Sequence, residues 1–334
     1  MATRLAFCLL GAILAVMPPE AVLAVDPLER QPGQGWVTPE VKAPGVSFHT
    51  FDSAAARATV SYHLYVPKAY DREPKRRFPV VYWLHGSGGG LPGIPKVAAH
   101  FAAAIDAGKL APCLVVFVNG LPNGMYVDSK DGSVPLETVI VKELVPHVDA
   151  SHRTIAGRDG RLLDGYSMGG YGAARLGFKY PELFQAVSVM AGGPLQIDLL
   201  SGPRAGRQRA AEVLGRVYGG DPEYFKSVSP RALAERQADT LAKGSLIRVV
   251  CGDLDETFPA SRDFHEHLKR LGIPHTWTEL GGVGHDPQQT LAALGDANWV
   301  LYRQAFGPPA DRDSEPRPAR VEPPVKVGKQ DQTP

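Results

Sequence analysis

Residues Leu162–Arg175 read LLDGYSMGGYGAAR, with one serine, Ser167, set among glycines and alanines. An apolar run leads into the serine and a helix-like pattern leads out. Gly165, Tyr166, Ser167, Met168 and Gly169 spell G-x-S-x-G. Between a strand and a helix, this pattern makes a very tight turn that holds the serine in a strained backbone conformation and lifts its hydroxyl clear of the sheet. Neighbouring backbones approach closely there, so positions 165 and 169 can carry little or no side chain. Ala173 and Ala174 let the new helix pack closely on the sheet. The helix N-terminus beneath the serine also favours developing negative charge. The competing reading, a glycine-rich helix start with an incidental serine, leaves Gly170 and the flanking pattern without a reason.

Working outward, apolar runs alternate with helix-like segments. The runs are ATVSYHLYVP, FPVVYWLHG, CLVVFVNG, RLLDG, QAVSVMAGG, LIRVVCGD and HTWTELGG. The later ones are short and continuous, which suits strands covered on both faces. PKVAAHFAAAIDAG, LETVIVKELVPHVDASH, SMGGYGAARLGFKYP and SRDFHEHLKRLGI carry helical spacing between them. The pattern predicts an α/β fold, a mostly parallel sheet with helices on both faces. Functional residues are then expected just after strand ends.

A serine hydroxyl needs a base, and the base needs an orienting acid. With a G-x-S-x-G turn the chain order is serine, acid, histidine. Downstream of Ser167, the strand end VVCGDLDETF offers Asp253, Asp255 and Glu256, and the next, TWTELGGVGHD, offers His285. Asp255 lies two residues farther past the strand than Asp253 and is the favoured acid, with Asp253 as the alternative. The other histidines fit less well. His265 and His267 are two apart on a predicted helix and point different ways, so they are no zinc-type pair. His275 starts a strand at the edge away from the site, and His100 and His152 have no partner motif. Oxyanion donors are expected from the N–H of Met168 and from the glycine-rich loop HGSGGG, with Ser87 favoured and Gly88 behind it.

The chain has 334 residues and a formal net charge of +1, so nothing points to nucleic acid or an anionic membrane surface. Residues 1–24 read as a signal peptide: Arg4, an apolar run too short to span a bilayer, and small residues Val22 and Ala24 before the cleavage point. Export to the periplasm or the medium follows, with no stable membrane insertion after cleavage. Residues 25–42 read as a linker, 43–307 as one domain and 308–334 as a disordered, Pro-rich tail. Cys113 opens one strand-like run and Cys251 closes another, which places them at opposite ends of a parallel sheet as buried free thiols.

WLHGSGGG, VNGLPNGMYVDS, ELVPHVDASHRT, DGYSMGGYGAARLGFKYPELF, GGDPEYF and VGHD together resemble the esterase D-like branch of the α/β-hydrolases. That branch includes feruloyl and acetylxylan esterases, tributyrin esterases, S-formylglutathione hydrolases and mycolyltransferases. The similarity runs over about residues 60–305 and is most specific at SMGGYGA. It implies an α/β-hydrolase fold without a large lid domain, no metal and no organic cofactor. It implies a nucleophile at Ser167, a histidine at His285, an acid at Asp255 and oxyanion donors at Ser87 and Met168. In many members a tryptophan that shapes the acyl pocket soon follows the histidine, whereas here HDPQQTLAAL follows, with no aromatic before Trp299. Tyr126 in MYVDS is a candidate pocket residue, and residues 195–245 are expected to cap one side of the site.

The leading expectation is an exported serine carboxylesterase acting on a small-molecule or glycan-linked ester. A second reading is an acyltransferase that passes the acyl group to a sugar hydroxyl; excess polyol would then yield a new ester instead of free acid. A third is a non-catalytic binding module, which has no need for serine, acid and histidine in that order.

Overall fold

The computed structural model describes residues 35–202 and 206–308. Eight strands form one sheet: β1 (Val46–Ser53), β2 (Ala58–Tyr65), β3 (Val80–Leu84), β4 (Leu114–Val118), β5 (Arg161–Tyr166), β6 (Ala186–Met190), β7 (Leu246–Gly252) and β8 (Thr276–Leu280). Their order is β1-β2-β4-β3-β5-β6-β7-β8. β1 and β2 pair antiparallel with each other, β2 pairs antiparallel with β4, and every other pairing is parallel.

Side chains alternate across each strand. On β3, Val80, Tyr82 and Leu84 face one half of the core and Val81 and Trp83 the other. The first half packs under the helical stretch 136–151 and the helices Met168–Lys179, Pro230–Gly244 and Phe258–Arg270. The second packs under Ile94–Asp106, Pro287–Leu294 and Trp299–Phe306. The central strands β3 to β6 are buried along their whole length, which is why they read as continuous apolar runs. Cys113 and Cys251 are free and buried, and burial pushes the Cys251 thiol up to about 11.

The stretch expected to be a linker differs in part. Residues 35–42 are docked on β2 and β4. Trp36 is buried, its carbonyl accepts from the Ser61 N–H at 2.8 Å, and Asn119 donates to it at 2.9 Å. The Val41 N–H donates to His63 Nε2 at 2.9 Å. One buried tryptophan and these hydrogen bonds anchor a segment whose Pro, Gly and Gln content suggested none. The signal peptide expected at 1–24 lies outside the described residues, as does the tail beyond Pro308. No helix among the described residues is long and apolar enough to cross a membrane.

Candidate active site

β5 ends in the turn that carries Ser167. Ser167 has φ 59° and ψ −120°, outside the regions L residues favour, and it immediately precedes the Met168–Lys179 helix. A Cβ added at Gly165 would overlap the Gly169 carbonyl, and one at Gly169 would overlap the Leu84 carbonyl of β3. These two glycines allow the turn to close against its own helix and against the neighbouring strand. The turn is tied down by backbone hydrogen bonds from the Ser167 N–H to Met190 (3.0 Å) and from Gly193 to the Ser167 carbonyl (3.1 Å).

The loops after β7 and β8 meet over this turn. His285 Nε2 lies 2.9 Å from Ser167 Oγ, and His285 Nδ1 lies 2.7 Å from Asp255 Oδ2. With Asp255 ionised, Nδ1–H donates to the carboxylate and Nε2 is left to accept from the serine hydroxyl. The other carboxylate oxygen, Oδ1, accepts from the Thr257 N–H (2.7 Å) and the Thr257 hydroxyl (2.8 Å). Burial tends to raise the Asp255 pKa, but the bonds from His285 and Thr257 outweigh it and hold the carboxyl below its ordinary value. Asp253 points elsewhere: its Oδ1 accepts the Gly282 N–H at 2.7 Å and so pins the β8 loop.

The loop after β3 forms the third side. A Cβ built on Gly86 would stand 3.2 Å from Ser167 Cβ and 3.7 Å from its Oγ, so this loop backbone lies directly against the serine. The Gly88 N–H is engaged by the Pro122 carbonyl at 2.8 Å, which removes it from the candidate oxyanion donors. Ser87 lines the cleft beside Ser167. Met168 is the first residue of its helix, where an N–H has no intrahelical acceptor.

His85 holds this loop in shape. Its Nε2 accepts from the Gly120 N–H at 3.0 Å, which leaves the proton on Nδ1 to donate to the Gly86 carbonyl at 2.7 Å. Burial lowers the His85 pKa and keeps the ring neutral. Tyr126 is not a pocket residue as expected. It is fully buried, and its hydroxyl donates to the His85 carbonyl at 2.9 Å. Its backbone, at φ 51°, turns the ring away from the cleft and leaves Met125 to line it. Arg175, buried against Glu137, donates to the Tyr126 carbonyl at 2.8 Å and fixes the loop from below.

Ser167 and His285 open into one cleft of about 730 Å³. Trp83, Met125, Leu199, Ala210 and Val213 give it apolar walls, and Gln196, Arg209 and Gln288 add polar groups. Leu199, Ala210 and Val213 fall in the segment expected to cap the site. Asp255, Glu256 and His285 present ligand-type atoms within 4.8 Å of one another. Both carboxylate oxygens of Asp255 and both ring nitrogens of His285 already face hydrogen-bond partners, so a cation there would compete with the link to Ser167.

The model of a family described as "Putative esterase" matches residues 53–289. The chain belongs to this esterase family. An esterase of Mycobacterium tuberculosis is 31% identical over 261 residues, which cover 72% of this chain and 56% of that protein. An endo-1,4-beta-xylanase/feruloyl esterase of Xylanibacter ruminicola is 30% identical over 168 residues, 47% of this chain and 23% of that one. The chain thus spans about half or less of the length of these curated relatives. Among solved structures, a ferulic acid esterase superposes with a TM-score of 0.65 at 22% identity, covering 77% of this chain and 97% of that one. An S-formylglutathione hydrolase from Agrobacterium tumefaciens gives 0.63 at 19%, covering 80% and 98%. At such identity these likenesses speak for the α/β-hydrolase fold alone.

In this esterase-family chain the structure brings together Ser167, His285, Asp255, Met168 and the Ser87 loop, and sets Asp253 apart. Sequence reasoning missed Thr257, which follows the acid by two residues, the spacing at which an aspartate commonly accepts a downstream N–H. It also missed His85 as a brace and Arg209 as a wall of the cleft. Both make contacts across long sequence separations that no local pattern announces.

Proposed function

We propose that the chain is an exported serine carboxylesterase. The observation that carries this reading is the hydrogen-bonded line Asp255–His285–Ser167 at the mouth of an apolar cleft, at the carboxyl ends of parallel strands. Ser167 Oγ attacks the ester carbonyl carbon while His285 Nε2 takes its proton. The resulting oxyanion is held by the N–H groups of Met168 and Ser87. Collapse breaks the bond to the alcohol oxygen, which receives the proton from His285, and leaves an acyl group on Ser167. Water then gives a proton to His285, attacks the acyl carbon and releases the acid, and the proton returns to Ser167. Asp255 holds the imidazole tautomer and balances the charge that His285 gains.

The substrate class is a carboxylic ester, free or linked to a glycan. Export rests on the leader pattern of residues 1–24, and the catalytic domain is taken as residues 43–307 with the docked 35–42 segment. The test is Ser167→Ala assayed on acetyl, butyryl, feruloyl and long-chain esters. Activity should fall on the order of 10⁴-fold or more with circular dichroism unchanged, because triad members act as a unit. A fluorophosphonate should label the wild-type chain once, on the peptide that contains Ser167. A folded Ser167→Ala protein with near wild-type hydrolysis would remove the mechanism.

A further inference from the structure

We propose that the cleft contains an anion subsite built on Arg209, so that its preferred esters carry a carboxylate at a distance from the scissile bond. The inference rests on the esterase reading above and adds a substrate class to it. Among the described residues that line the cleft, Arg209 is the one permanently charged side chain. It stands on the helix Gly206–Tyr218, which forms one wall, and its guanidinium donates to Asn123 Oδ1 at 3.0 Å from the loop after β4. The contact joins two walls of the same cavity.

Four buried arginines have carboxylate partners: Arg175 has Glu137, Arg161 has Asp149, Arg231 has Asp263 and Arg248 has Asp164. Arg209 has no such partner among the described residues; it has a neutral amide oxygen. Arg209 is exposed, and its hydrogen bond to Asn123 leaves the guanidinium charge unneutralised. A guanidinium has five N–H donors in a flat fork that matches a carboxylate, and Asn123 occupies one of them. The carboxylates nearest the reaction centre are Asp253, Asp255, Asp286 and Glu256, the last within 4.8 Å of Asp255 and His285. Asp255 is bound to His285 and Thr257, Asp253 accepts from Gly282, and Asp286 caps the helix Pro287–Leu294. None of them lines the cleft. A cavity of about 730 Å³ has room for a small ester with a carboxylate on its far side.

The experiment uses two matched ester pairs on the full chain. Mono-4-nitrophenyl adipate against its methyl-capped form places the charge on the acyl side; 4-acetoxybenzoate against its methyl ester places it on the alcohol side. For at least one pair, the ratio of kcat/KM for the free over the capped ester should drop about tenfold in Arg209→Gln, the size of one charge-assisted contact. Arg209→Lys should retain part of the ratio, and added NaCl should lower it in the wild type. A ratio unchanged within about twofold in Arg209→Gln for both pairs overturns the subsite while leaving the esterase reading intact. If the wild type hydrolyses neither member of either pair, the esterase reading fails instead. The subsite is then judged by calorimetric binding of the two carboxylate esters to Ser167→Ala with and without Arg209→Gln; equal affinities overturn it.

Discussion

The serine turn and the loops that close over it are built in different ways. The turn is steric: Gly165 and Gly169 exist so that backbone can touch backbone, and any Cβ there collides with a carbonyl. The loops after β3, β7 and β8 are polar: Asp255 is set by Thr257 and His285, Asp253 by Gly282, and His85 by Gly86, Gly120 and Tyr126. A steric device tolerates no substitution but ignores pH. A hydrogen-bonded device can be trimmed one contact at a time and responds to protons.

The sharpest way to break this comparison is the pair of aspartates. Asp255→Asn should cost on the order of 10⁴-fold in kcat, because the amide oxygen stays with the two Thr257 donors and the NH2 faces Nδ1, which favours the wrong imidazole tautomer. Asp253→Asn keeps an oxygen for the Gly282 N–H and should cost less than about tenfold. The two variants are to be compared on one ester with circular dichroism as control. A crippled Asp253→Asn with an active Asp255→Asn would reverse the roles assigned to this loop. Next in size is Gly169→Ala. It forces a methyl group into the Leu84 carbonyl and should destabilise by about 3 kcal/mol or abolish folding. Urea unfolding measures it; a loss below about 1 kcal/mol would mean that the turn relaxes and is not steric.

The contrast also explains what could be read from the sequence. Strands β3 to β6, covered on both faces, and the glycine-bound serine turn leave local, continuous signatures. β1 did not: VSFHTFDS is a half-exposed edge strand whose polar residues interrupt the apolar pattern. The helix Gly206–Tyr218 buries only Ala210, Leu214, Val217 and Tyr218, too narrow a stripe to stand out. Tyr126 is a candidate pocket residue from sequence, yet a positive φ at Met125 and Tyr126 turns the ring inward. Asp253 and Asp255 remained open because two residues of loop decide the direction of a side chain, and only the partners, Gly282 and His285, separate them.

A smaller effect probes the brace. Tyr126→Phe removes one buried hydroxyl that donates to the His85 carbonyl and leaves the ring in its notch. It should lower kcat about tenfold through a looser oxyanion loop, with KM little changed, since the contact matters only where charge develops. A purely structural role would instead lower the unfolding midpoint and leave kcat of the folded enzyme intact, so both are measured on the same preparation.

The smallest effect is titration of a polar cluster away from the site. His49, His147 and His152 sit half-buried beside Tyr62, with the Tyr62 hydroxyl 3.1 Å from His152 Nε2. Burial first, then repulsion from His49 and His147, lowers the His152 pKa from 6.5 to about 4. The folded state therefore prefers neutral His152. Its contribution to stability is fully present above the unfolded value of about 6.5 and is lost as pH falls toward 4. The ring is partly solvated, so roughly 1 kcal/mol is at stake, about 2–4 °C in Tm for a domain of this size. Between pH 7 and pH 4.5, Tm of His152→Gln should fall by that much less than Tm of the wild type. Over the same range the nucleophile turn, which has no titrating group in its steric contacts, should add nothing to the slope. Identical slopes in the two proteins would show that this cluster opens to water before it titrates, and that polar contacts here are as indifferent to pH as the glycines of the turn.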